Sequence, residues 1–200
     1  MEGSSSKYLI TFLLILVAIS SACINSGMAA KANRLSTEFI RTSCRSTIYP
    51  SLCFSSLSVH ANSIQTSPQL LASTALNVTL SSAQSTSRLM VRLSKTRGMS
   101  PRVVSAITDC VEELSDSVDE LRNSIAEMSS LKSSNFNLMI NDIQTWVSAA
   151  LTDESTCTDG FHGKSMNGNV KTTVREKIVK VAQLTSNALA LINQYAAFHG

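Results

Sequence analysis

The stretch ALTDESTCTDGF, residues 150–161, crowds Asp153, Glu154, Asp159, four hydroxyls and Cys157 into twelve positions. Carboxylates and a thiol at that density can hold a divalent cation, move protons and attack carbonyls, or present fixed charge to another molecule. A second group of acids lies upstream, where Asp109, Glu112, Glu113, Asp116, Asp119, Glu120 and Glu127 face the single base Arg122. The cation reading fails on spacing. If Asp159-Gly160 filled the fifth and sixth places of a calcium loop, Ser155 and Met166 would fill the first and twelfth, where carboxylates are needed. Zinc fares no better, because the cysteines are isolated and His60, His162 and His199 have no ligand spacing. Neither metal nor cofactor is expected.

Catalysis is also poorly served. No Gly-x-Ser-x-Gly elbow occurs, and the three histidines read as solvated residues near element ends. The paired acids on the upstream helix read as surface groups, without a cleft to raise one pKa above another. The sequence therefore does not look like an enzyme. What remains is charge. On composition the acidic helix reads as a solvated face whose acids partly complement its N-terminal dipole. The sharper reading is that this face, beside the carboxylates of 150–161, meets a basic partner.

The elements that must position these acids begin with the start of the chain. MEGSSSKYLITFLLILVAISSACINSGMAA has Lys7, an apolar run from Tyr8 to Ile19 and then small residues, which is the order of a secretory signal peptide over 1–30. Cleavage is expected after Ala29, Ala30 or Ala32, leaving an exported chain with no membrane anchor, since the run breaks at Ser20 and Ser21. Glu2 and Lys7 leave together, so the net charge stays +3, too weak to imply nucleic acid. Cys23 leaves as well. Cys44, Cys53, Cys110 and Cys157 remain, and an even number in an exported protein implies two disulfides with three connectivities open.

Periodicity predicts an all-α chain. A short helix capped by Ser36 or Thr37 is expected to run to about Cys44, with a second from Pro50, together a helical hairpin over 35–60. Four longer helices follow over 67–198: from Ser67-Pro68 to about Lys95, from Pro101 to about Met128, from an Asn135 cap to about Thr152, and from about Val170 to Ala197. The second carries Ile107, Val111, Leu114, Val118, Leu121, Ile125 and Met128 at alternating spacings of four and three. The third repeats this through Phe136, Ile140, Ile143, Val147 and Ala150, and the fourth through Val174, Ile178, Val181, Thr185, Ala188, Ile192 and Tyr195. Four such helices with short connections make an up-down-up-down four-helix bundle with an N-terminal helical hairpin extension. Residues 154–169 read as an open loop. In this bundle the second and third helices form a hairpin turning near Lys132, with Cys110 22 residues before that point and Cys157 25 after it. At about 1.5 Å per residue the two cysteines reach the same end, which favours Cys110–Cys157 and leaves Cys44–Cys53. Asn77-Val78-Thr79 is a glycosylation sequon, and Asn77 is a candidate acceptor.

Three motifs, in order across the chain, resemble the plant invertase and pectin methylesterase inhibitors. FIRTSCRSTIYPSLC is similar to that family's Cys-x-x-Thr-x-Tyr-Pro-x-x-Cys hairpin through Cys44, Thr47, Tyr49, Pro50 and Cys53. AITDCVEELSDSVDELRNSI resembles its helix with one cysteine followed by spaced acids, and WVSAALTDESTCTDGF is the third motif. The resemblance implies a four-helix bundle over 35–198 with disulfides paired first-to-second and third-to-fourth. It further implies a secreted, apoplastic monomer that binds a cell-wall carbohydrate enzyme one to one and blocks its cleft. In the esterase-inhibiting branch the contacts fall, residue by residue, on Asp116, Asp119, Thr156 and Asp159. Invertase inhibitors use a Pro-Lys-Phe triplet before the last helix; here FHGKSMNGNV keeps Lys164 without that proline or phenylalanine. Thr-Cys-Thr-Asp-Gly-Phe instead resembles esterase inhibitors and the pro-regions of pectin methylesterases. With no catalytic domain following, a free inhibitor of pectin methylesterase is expected, the alternative being acid invertase.

Overall fold

The structure, a computed structural model, describes residues 31–161 and 169–199, and every regular element among them is helical. The expected signal peptide and residues 162–168, with His162 and Lys164, lie outside the described residues. Helix α1 covers 31–44 and α2 covers Pro50–Leu57; a 3-10 turn at Ser58–His60 leads into α3, Ala61–Ile64. The long helices are α4 (Pro68–Ser94), α5 (Pro101–Ser130), α6 (Phe136–Gly160) and α7 (Asn169–Ala197).

All three prolines open helices. Pro50, Pro68 and Pro101 stand in the first turn of α2, α4 and α5, where a missing N–H leaves no hydrogen bond unmade. Ser67 completes the start of α4, its Oγ accepting from the Leu70 N–H at 3.2 Å. Gly98, at φ 87°, turns the chain between α4 and α5 in a conformation that other residues rarely adopt.

Each long helix packs on the next and α7 returns to α4, closing an up-down-up-down bundle. The seam of α7 is buried as its spacing predicts: Val174, Ile178, Val181, Thr185, Ala188, Ile192 and Tyr195. Serine and threonine enter this core without losing hydrogen bonds. Thr79, Thr86 and Ser124 donate to the carbonyls of Ala75, Ser82 and Glu120, one turn back, at 2.8, 2.9 and 2.9 Å. A smaller buried cluster surrounds the Cys110–Cys157 disulfide, with Ile107, Leu114, Phe161, Val174 and Ile178.

The hairpin of α1 and α2 is closed by Cys44–Cys53 and seated on α7 by two amides, Gln194 donating to the Ser43 carbonyl at 3.4 Å and Asn187 holding Tyr49. Asn187 accepts from the Tyr49 N–H and donates to the Tyr49 carbonyl, both at 3.0 Å. The Arg41 guanidinium stacks over the Phe54 ring at 4.0 Å and covers the hairpin's outer side.

Three expectations change. Ser36 and Thr37 do not cap a helix, because α1 is already running at 31 and both hydroxyls donate back to Ala32 and Asn33 at 2.9 Å. Asn135 does stand at the N-cap of α6, but its side chain makes no capping bond there. Helix α6 continues past Thr152 to Gly160, so 154–160 are helical rather than an open loop; the disulfide to α5 holds that last stretch against its neighbour.

The two disulfides close loops of different length, with sequence separations of 9 and 47. Loop entropy gives about 2.6 kcal/mol for the shorter and about 4 kcal/mol for the longer. In urea unfolding, Cys110→Ser with Cys157→Ser is expected to destabilise the bundle more than Cys44→Ser with Cys53→Ser. The opposite order would show that the hairpin, not the α5–α6 clasp, limits stability.

Candidate functional site

The acids gather where α5 meets α6. At the end of this helix pair the Cα atoms of Cys110 and Cys157 stand 4.7 Å apart. The core rhythm of α6 runs through Ile143, Val147 and Ala150 and then, at the same spacings of four and three, places Glu154 and Cys157 inward. Glu154 is therefore a core residue, with no exposed surface. Ser117 of α5 donates to its Oε1 at 2.8 Å and Thr185 of α7 donates to the same oxygen at 2.9 Å. One carboxyl thus ties three helices together. Its Oε2 is buried with no hydrogen-bond partner. Burial pushes the Glu154 pKa up to about 8 against the pull of the two hydroxyls, and the nearby Asp153 and Glu120 add to the rise.

Nearer the surface, Glu120 of α5 faces Asp153 of α6. As two carboxylates they leave Glu120 Oε2 and Asp153 Oδ2 buried without a donor. A proton on Glu120 supplies one, and the pair then makes a hydrogen bond. Burial first, then this bond and the charges of Asp153 and Asp116, raise Glu120 to about 7. Asp153 is raised too, by burial and by Asp116, although the bond from Glu120 pulls it down. Glu113 rises by burial and by its acidic neighbours, Asp153 first. Asp109, Glu113, Asp116 and Glu120, spaced four, three and four, thus form a ridge along the α5–α6 groove.

The four expected contact residues all stand on the outer surface of this pair, in different surroundings. Asp116 is exposed, has no cation paired with it, and belongs electrostatically to the ridge. Asp119 is exposed and already held by Arg122, three residues on, at 2.6 Å. Exposed Thr156 donates its hydroxyl to the Thr152 carbonyl at 3.0 Å. Asp159 is exposed near the end of α6, six residues past Asp153 and so about 120° further round the helix. Asp116 therefore joins the carboxylates of α6, while Asp159 faces away from the groove. Asn77 is exposed on α4, its Nδ2 donating to the Ser73 carbonyl at 2.8 Å, whereas Thr79 of the same sequon is buried.

Sequence reasoning missed Glu113, Glu120, Asp153 and Glu154 as one cluster, and its claim that no acid here could be shifted is overturned. The signal was present. Extending the α6 rhythm two steps beyond Ala150 reaches Glu154, and Ser117 falls on the α5 seam between Leu114 and Leu121. His199 is not simply solvated either: it stacks on Phe136 with ring centroids 4.8 Å apart. Among the described residues no group of His, Cys, Asp and Glu is arranged to hold a metal ion. None of their helices is long and apolar enough to cross a membrane.

Residues 38–191 match the family model described as plant invertase/pectin methylesterase inhibitor. The chain belongs to that family. A 21 kDa protein of Daucus carota is 46% identical over 100% of this chain and 99% of its own. Pectinesterase inhibitor 11 of Arabidopsis thaliana is 44% identical over 94% of this chain and 96% of its own. In fold, the chain resembles the crystal structure of a mutant form of a pectin methylesterase inhibitor from Arabidopsis, with a TM-score of 0.62 at 24% identity over 75% of this chain and 92% of that one. The family consists of inhibitor proteins and not of catalysts, so its raised carboxyls need no catalytic role.

For this inhibitor-family bundle the raised carboxyls set a pH dependence of stability. The Glu154 carboxyl rises from an ordinary 4.5 to about 8 on folding, so folding favours its protonated form. Its stabilising contribution is complete below about 4.5 and is lost as pH rises toward 8, by at most about 1.4 kcal/mol per pH unit from that one group. Glu120 acts with the same sign, its loss ending near pH 7. Melting temperature is expected to fall from pH 5 to pH 8, and Glu154→Gln, which carries no ionisable proton, should flatten that slope. An unchanged slope in the variant would mean that Glu154 does not titrate in this window.

Proposed function

We propose that this chain is a secreted inhibitor of plant pectin methylesterase, with 1–30 as its signal peptide and 35–198 as its inhibitor domain. The observation that carries the reading is the 44% identity, along nearly the whole length of both chains, to a protein named as a pectinesterase inhibitor. The exposed acids of α5 and α6 agree with it, since they offer fixed negative charge on a rigid, disulfide-clasped pair of helices.

The complex is one to one, and inhibition is steric. The α5–α6 face lies over the esterase's substrate groove and keeps pectin from the catalytic groups, slowing de-esterification in the cell wall. Asp116, Asp119, Thr156 and Asp159 are the proposed contacts. Asp119 must first leave or share Arg122, so Asp116 carries more of the attraction. Exposed charge pairs weaken as salt shortens the screening length, so the inhibition constant should rise with ionic strength.

Purified oxidised protein, titrated separately against a plant pectin methylesterase and an acid invertase, tests the proposal. Inhibition of the esterase alone is expected. Asp116→Asn with Asp159→Asn should raise the inhibition constant about tenfold, a loss of about 1.4 kcal/mol, with helicity unchanged. Inhibition of invertase alone would sink the choice of target, and full esterase inhibition by the double variant would sink the assignment of these residues.

A further inference from the structure

Charge divides the bundle in two. Helices α5 and α6 carry eleven acids, seven on α5 and four on α6, against Arg102 and Arg122. Helices α4 and α7 carry Arg88, Arg92, Lys171, Arg175, Lys177 and Lys180 against Glu176, and α2 and α4 contain no acid at all. The basic side is also concave. A groove of about 440 Å³ runs between α2, α4 and α7, with Lys177 and Lys180 on one wall and Ser81, Ser82 and Ser85 on the other. No acid lines it.

Five polar side chains of this groove have their hydrogen-bonding groups unused among the described residues: Lys177, Lys180, Ser81, Ser82 and Ser85. Lys177 and Lys180 are exposed and form no ion pair, even though Glu176 stands four residues before Lys180. Ser81, Ser82 and Ser85 make no side-chain hydrogen bond, whereas Ser55, Ser56 and Thr86, which also line the groove, donate to the carbonyls of Leu52, Cys53 and Ser82. Leu184 and Val78 supply apolar surface between them. Two ammonium groups, three open hydroxyls and a small apolar floor suit a ligand with carboxylates, hydroxyls and a weakly apolar ring face. The lysines are three residues apart, a rise of about 4.5 Å, close to one sugar unit of an extended chain.

We propose that this groove binds an acidic, hydroxyl-rich polysaccharide, a linear polyuronate. Nucleic acid is disfavoured because no aromatic side chain lines the groove to stack a base. A flat anionic lipid surface cannot follow the concave wall that carries the hydroxyls. Arg88 and Arg92, seven and eleven residues beyond Ser81, share its face of α4 and add positive charge beyond the groove, lengthening the track for a polymer. The proposal is independent of the acidic face: a chain that inhibits no esterase can still bind here.

Binding of the oxidised protein to polygalacturonate, dextran and a DNA oligonucleotide, measured at low and raised salt, tests it. Polygalacturonate should bind at low salt and release as salt rises, and neutral dextran should not bind. Lys177→Gln with Lys180→Gln should weaken polygalacturonate binding about tenfold. Ser81→Ala with Ser85→Ala should weaken it about threefold without altering the salt dependence. The four substituted residues are exposed, so the variants should keep native helicity and melting temperature. The proposal is overturned if polygalacturonate fails to bind, if the lysine variant binds it equally well, or if DNA binds as tightly with the same lysine dependence.

Discussion

A carboxyl placed at a core position leaves a helical bundle few ways to fold around it. Glu154 stands where the α6 rhythm calls for an apolar side chain, and it is tolerated because α5 and α7 both turn a hydroxyl toward it. Ser117 and Thr185 converge on one oxygen, so the axial and rotational registers of three helices are fixed at a single point. A one-residue slip of either neighbour would strand a buried polar group, at a cost of about 1–3 kcal/mol. Apolar seams alone do not discriminate among registers so sharply. The Cys110–Cys157 bond, one turn from Glu154, fastens the same helix pair covalently.

The same node accounts for the character of the surface above it. With Glu154 inside, Asp153 is brought to the lip of the α5–α6 groove and meets Glu120, and their mutual field extends to Glu113 and Asp116. Carboxyls in such a field share fewer charges than they have groups. The Glu120–Asp153 pair is thus less negative near neutral pH than its formal count, and the exposed acids around it supply most of the fixed charge available to a partner. Opposite them, α4 and α7 present the bases, so the bundle has a charge axis across its width although its net charge is only +3.

Much of this was legible in the residues. Prolines at three helix starts, apolar seams at spacings of three and four, and the equal reach of Cys110 and Cys157 from the α5–α6 turn all report local geometry. They carry over to the structure because local geometry survives packing. The limits of the reading have a physical origin. Thr152 was a natural place to end α6, since Asp153 to Gly160 is polar and favours turns. There the tertiary contacts of Glu154 and Cys157 outweigh local preference. The carboxyl cluster needed two helices at once, because Glu120 and Asp153 are 33 positions apart and neither sequence window contains the other. Ser36 and Thr37 misled for the opposite reason: a hydroxyl that can cap a helix can equally serve inside one.

The seat of the N-terminal hairpin has a different kind of consequence. Asn187 grips the hairpin only through the backbone N–H and carbonyl of Tyr49, atoms that every residue but proline provides. Its hold is blind to the side chains displayed around it. Ile48 and Val59 stand out in solvent, at 71% and 78% exposure. Those two side chains can be exchanged without touching the bonds that dock the hairpin, so its outer face is structurally uncoupled from its seat.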